Sequence, residues 1–301
     1  MKRLTLILLA LAVVCSCFAA CSKKTAGEND DPEFIVDTID GAYADIDSAT
    51  MECYSDICNA VYNCESKVRV NKDMVNTAVD AFYASNPLSV IVKEIKLTKD
   101  KSFVSIKYNF NTNECKAKVQ TFKNKVCEVL KDCKLGEVND SAFAVNAYHY
   151  VANGMQPENS ITNAYDAILA GAGDSTAVSS LLSFVLRQGG IKTYIVKAKD
   201  KAKNNWQVVQ VELDSELYYM DPISEAYSNK GTLLTFFGMT TDELKAEFLT
   251  DFKYLSGKKA LLADNPYFDA CRECYSFNID YENEKLLITR IDGEIVEIAL
   301  K

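Results

Sequence analysis

Histidine occurs once in the 301 residues, at position 149, and tryptophan once, at 206. A single imidazole cannot build a multi-histidine metal centre, and any Cys–His or Ser–His pair must use His149 or do without one. Excess positive charge is also missing. The 33 Lys and Arg face 42 Asp and Glu, for a formal net charge of −9, which argues against nucleic-acid phosphates as partners. No internal repeat is visible, and no apolar run has the length of an ordinary membrane-spanning helix. Between Cys133 and Cys271 there is no cysteine, so the central block has no thiol nucleophile of its own. What is present is ample core-forming material: 48% of residues are hydrophobic, enough for one large domain or two small ones.

The N-terminus is set aside before any fold is considered. Lys2 and Arg3 precede the apolar run LTLILLALAVV and then small residues, the pattern of a secretory signal over residues 1–20. Ala19, Ala20 and Cys21 resemble the lipobox of bacterial lipoproteins, although Phe18 departs from the usual leucine. The resemblance implies a lipid on Cys21, the membrane as partner, and a location on the outer face of the cytoplasmic membrane or at the cell surface. Residues 21–34 contain the polar stretch SKKTAGENDDP and read as a lipidated N-terminus and linker.

Eight cysteines remain beyond Cys21: Cys53, Cys58, Cys64, Cys115, Cys127, Cys133, Cys271 and Cys274. An even number in an exported chain permits disulfides, whose pairing the sequence leaves open, or reduced and half-buried thiols. Cys271 and Cys274 have redox or zinc-like spacing. With one histidine, however, only other cysteines could complete four zinc ligands. A structural role is expected, with no metal and no cofactor.

Residues 35–138 read as an N-terminal α/β region. A helical face at Met74, Val75, Ala78, Val79 and Phe82 stops at Asn86-Pro87, and two alternating runs follow as strands. A helix with an inner stripe of Val119, Phe122, Val126, Val129, Leu130 and Cys133 comes next. In residues 139–265 a helix near Asp140 precedes SITNAYDAILA, which Gly171 and Gly173 break. Asp174 or Ser175 then caps a helix with Val178, Leu181, Leu182, Val185 and Leu186 buried, and Gly189 and Gly190 end it. Three strand-like runs and an amphipathic segment follow. Residues 266–301 read as a C-terminal β-meander turning at Asp292-Gly293. The order predicts an α+β fold.

A loop nucleophile opening a helix, then a strand bearing His and another bearing Asp, is the layout of Cys-His-Asp acyl chemistry. The stretches AYDAILAGAGDS, RQGGI, NNW and YYMDP resemble, in order, the corresponding motifs of the transglutaminase-like (papain-related) superfamily. There the first ends in cysteine and the third reads H-A-W. The resemblance implies a core helix packed on an antiparallel sheet, and AVNAYHYVANGM is similar to the helix that precedes that core. It puts the nucleophile on Ser175, the histidine on Asn204 and the acid on Asp221, with only Asp221 keeping the family's identity. Asparagine has no titratable nitrogen, and Asn205 cannot replace it. His149 lies on the preceding helix, where a packed or surface role is the simpler one.

A non-catalytic surface lipoprotein is therefore expected. It would bind or scaffold peptide, protein or cell-wall material in a groove containing Asp174, Ser175, Asn204, Trp206, Tyr219 and Asp221. The alternative is a hydrolase or acyl-transferase of altered chemistry using Ser175. Each of these residues also has a plain structural role available, as cap, hydrogen-bond acceptor or core.

Overall fold

Most helices begin where a side-chain oxygen takes the first free amides. In the computed structural model, which describes residues 32–99, 101–229 and 231–301, Asp47 accepts from the Thr50 amide and starts α1 (Ser48–Tyr62). After β1 (Lys67–Arg69), α2 (Val75–Ser85) runs to Asn86, whose side chain accepts from Leu88 and turns the chain into a 3-10 turn at Pro87–Ile91. Strands β2 (Val92–Leu97) and β3 (Phe103–Tyr108) complete a sheet in the order β1-β3-β2. The long α3 (Thr112–Asp132) opens with a reciprocal capping box, Asn111 with Glu114. The stripe expected of it is buried from Val119 to Cys133.

The central block continues with α4 (Asp140–Gly154), β4 (Gln156–Pro157), α5 (Ala164–Ala170), β5 (Ala172–Gly173) and α6 (Ser175–Gln188). Three strands follow: β6 (Thr193–Lys199), β7 (Asn205–Leu213) and β8 (Glu216–Met220). Then come α7 (Pro222–Asn229), α8 (Thr241–Glu247) and β9 (Leu249–Tyr254). The amphipathic segment of the sequence thus divides, because Phe252 and Tyr254 alternate as strand residues do and are buried. An antiparallel sheet in the order β8-β7-β6-β9 results.

Helix α6 packs on one face of this sheet. Ser179 Oγ donates to the Gln207 carbonyl at 2.8 Å, and Ser183 and Thr193 share a hydrogen bond of 2.7 Å. A second apolar cluster, including Val196, Val208, Tyr219 and Phe252, covers the other face. The tail forms the expected meander of β10 (Cys274–Asp280), β11 (Lys285–Arg290) and β12 (Ile295–Ala299), with Gly293 in the left-handed region at φ 88°.

The fold is α+β. Pro32–Lys301 form one compact unit, and one buried cluster runs from Cys53 to Leu300 with contributions from residues 35–138, 139–265 and 266–301. The expected signal segment and Cys21 lie outside the described residues. The expected linker 21–34 ends sooner than the sequence suggested. Phe34 packs within 5.8–6.2 Å of Tyr62, Phe122 and Phe184, because an aromatic ring gains more from this core than from water. No helix among the described residues is long and apolar enough to cross a membrane.

Candidate functional site

The start of α6 is built by its glycines and by one carboxylate. Gly171 ends α5 in the left-handed conformation, φ 65°, which favours glycine. A Cβ on Gly173 would lie 2.9 Å from the Ala177 Cβ, so only glycine lets the loop lie against the first turn. The cap is Asp174, which accepts from the Ala177 amide at 2.8 Å. Ser175 is the first helical residue, buried at 6% exposure, and its Oγ accepts from the Gln207 amide at 3.3 Å.

Asp221, at the end of β8, has no exposed surface. Its Oδ2 receives the Trp206 indole N–H at 3.0 Å and the Ser224 hydroxyl at 2.6 Å, and its Oδ1 receives the Ser224 amide at 3.0 Å. The last bond is that of an N-cap, so Asp221-Pro222 opens α7 in the manner that favours proline at the first helical position. Burial pushes Asp221 up to about 6, against the lowering effect of the Ser224 and Trp206 hydrogen bonds. Beside it, buried Glu225 accepts from the Tyr148 hydroxyl at 3.0 Å and the Phe236 amide at 2.9 Å.

Asn204 does not take the histidine's part. It is exposed, and its amide and Nδ2 donate to Asp200 at 2.7 and 2.8 Å. These bonds close the turn between β6 and β7 and hold the side chain there. The ring that reaches Asp221 is Trp206, and the backbone at Ser175 is that of Gln207. An indole N–H only donates, and a glutamine amide does not titrate near neutrality, so neither takes a proton from Ser175. Tyr219 is also not a groove residue. It is 1% exposed, in the cluster on the far face of the sheet, and donates to the Leu261 carbonyl at 3.1 Å.

Sequence reasoning missed Gln207 and Ser224. Period-two alternation along β7 points to the first, and the Asp-Pro helix start followed by serine at the third helical position points to the second.

His149 is half-buried elsewhere. Burial lowers its pKa, its ring meets Phe277 edge-on at 5.0 Å, and its Nδ1 is buried without a partner. It lines a cavity of about 590 Å³ that Ser175, Trp206 and Asp221 do not line. The eight cysteines form no disulfide among the described residues, where no group of three or more metal-ligating side chains occurs either. The open space near Ser175 is a cleft of about 640 Å³ beside the first turns of α6. Thr176, Ser180, Lys197 and Gln207 line it together with Asp80 and Tyr83.

No protein-family model matches the chain, and no curated protein matches it. Several solved structures align with parts of it. One, described as a candidate cysteine protease from Cytophaga hutchinsonii, shares 15% identity over 33% of this chain and 36% of that one, with a TM-score of 0.29. A TGase shares 9% identity over 43% of each chain, at 0.31. A candidate protease from Parabacteroides distasonis shares 14% identity over 58% of this chain and 36% of that one, at 0.30. The chain thus spans between a third and a half of the length of each.

Proposed function

We propose that this chain is a non-catalytic, transglutaminase-like protein of the bacterial envelope, exported by residues 1–20 and held at the membrane through lipid on Cys21. Its task on this reading is to bind peptide, protein or cell-wall material in the cleft beside α6. The observation that carries the reading is the hydrogen bond from the Trp206 indole to Asp221. The carboxylate that would orient an imidazole orients an indole, which cannot accept the proton of Ser175. A serine hydroxyl needs a base at hydrogen-bond distance to become a nucleophile. Here Ser175 Oγ is an acceptor for a backbone amide.

Binding is better supported beside Ser175, Trp206 and Asp221 than on them. Ser175 and Asp221 are covered, whereas the cleft presents the hydroxyls of Thr176, Ser180 and Tyr83, the carboxylate of Asp80 and the ammonium of Lys197. That mixture suits the amides and charged ends of a peptide or peptide-bearing polymer.

The test is amidase, peptidase and acyl-transfer activity in the wild type, in Ser175→Ala, and in Ser175→Cys combined with Trp206→His. Wild type and Ser175→Ala are expected to match the buffer control. Turnover in the combined variant alone would mark a competent scaffold without its base. Wild-type turnover that disappears in Ser175→Ala would establish the hydrolase or acyl-transferase reading instead. Sedimentation of the full chain with purified cell-wall sacculi, against Ser180→Trp, tests whether the cleft holds such a ligand.

A further inference from the structure

In a chain whose 42 Asp and Glu outnumber its 33 Lys and Arg, one helix face carries only positive charge. At about 3.6 residues per turn, Lys116, Gln120, Lys123, Cys127 and Lys131 of α3 fall within about 80° of the helix circumference. No Asp or Glu of α3 shares that stripe. Glu114, Glu128 and Asp132 lie further round, between it and Lys118 and Lys125 on the opposite edge. Lys125 pairs with Glu128 at 2.9 Å, and the Lys118 ammonium sits over the Phe110 ring at 4.5 Å. Lys116 and Lys131 are exposed, and Lys123 is half-buried with its ammonium 5.9 Å from the Tyr62 ring centroid.

A lysine stripe alone is the ordinary solvated face of a helix. What distinguishes this one is where the described chain begins. The Cys127 thiol, in the middle of the stripe, donates to the Pro32 carbonyl at 3.5 Å. Two residues on, the Phe34 ring packs on Tyr62 and Phe122, and Ile35 exchanges two hydrogen bonds of 2.8 Å with the Gln188 side chain. The chain therefore enters the fold at this face. Eleven peptide steps separate Pro32 from Cys21, at most about 40 Å of extended chain. Lys23 and Lys24 follow Cys21 after one serine, adding two positive charges at the anchor.

We propose that the Lys116, Lys123 and Lys131 face of α3 rests on a membrane surface rich in anionic phospholipid. The inference rests on the lipid anchor at Cys21 in the proposed function, which would keep this face within a short tether's reach of the headgroups. Each ammonium near an anionic surface adds an attraction that falls off within a Debye length, about 8 Å at physiological ionic strength. The same surface repels the acidic majority of the chain, so charge selects the stripe over other faces. The contact needs no apolar insertion, and it orients the anchored domain.

The experiment takes the full chain from the membranes of expressing bacteria, in detergent, and reads the mass of its Cys21 peptide for lipid. The chain is then placed on vesicles of phosphatidylcholine, with and without phosphatidylglycerol. A membrane-impermeant reagent acetylates its lysines, and mass spectrometry maps them. Phosphatidylglycerol is expected to slow acetylation of Lys116, Lys123 and Lys131 about five- to ten-fold, an effect that high salt removes. Lys118 and Lys125 should change less than about two-fold. Gln120→Glu with Lys123→Glu should abolish the protection of Lys116 and Lys131, and Lys125→Gln should keep it. A Cys21 peptide without lipid would overturn the anchor, while the footprint, read with vesicles in excess, still decides the stripe. Equal reactivity on both vesicles, protection already complete on phosphatidylcholine alone, or equal protection of Lys118 and Lys125 would each overturn the proposal. Protection by soluble polyglutamate but not by the vesicles would replace it with an acidic polymer as partner.

Discussion

Asp221 is buried with two side-chain donors, and burial lifts its pKa to about 6, above the value of 3.8 for a free carboxyl. The folded protein therefore holds a proton that the unfolded chain gives up. This group's contribution to stability is complete below about pH 4, falls between about pH 4 and 6, and is lost above that range. A shift of this size corresponds to about 3 kcal/mol. In Asp221→Asn the ionisation is gone. Urea midpoints measured from pH 4 to 7 are expected to shift in the variant's favour, relative to wild type, as pH rises. An unchanged difference across that range would mean Asp221 is not held protonated by its burial. Trp206→Phe removes one donor to the carboxylate and should carry the same fall to higher pH. Ser175→Ala leaves the Gln207 amide without its acceptor, a loss of about 1 kcal/mol.

At the scale of elements, the start of α6 depends more on Asp174 than on the serine beside it. Asp174→Ala removes the bond to Ala177 and should lower stability by about 1 kcal/mol, with Asp174→Asn restoring most of it. Chemical denaturation of the two variants checks this. The far end of α6 is tied to the chain's beginning. Arg187 is buried and donates to the carbonyls of Ser183, Thr38 and Ser85, while buried Asp40 accepts the amides of Ala42 and Ile195. Burial raises Asp40 against the attraction of Arg187. Little in the sequence marked these contacts, because Thr38 and Ser85 lie far from Arg187 along the chain. The helix faces were legible, since apolar stripes are local: Val119 to Cys133 on α3 and Val178 to Leu186 on α6. Helix α7 was not recognised from the sequence, although Asp-Pro is a start signal.

At the scale of the molecule, a single buried cluster links Cys53 to Leu300, so unfolding is expected as one transition. Trp206, the only tryptophan, sits against Phe248 and Tyr227 at ring separations of 5.9 and 6.4 Å. Its emission and the far-UV ellipticity should melt at the same temperature. An earlier loss of either signal would show that part of the fold opens by itself. The sequence alone determined the α+β order, the helix faces, the closing meander and the shortage of imidazole, because periodicity, caps and composition are properties of neighbouring residues. Tertiary structure decided which side chains meet. It turned Asn204 into its own hairpin, brought the Trp206 indole to Asp221, covered Ser175 and Tyr219, and set the open cleft beside them. Strand twist and the packing of α6 on the sheet govern those encounters, and both act between residues that are distant along the chain.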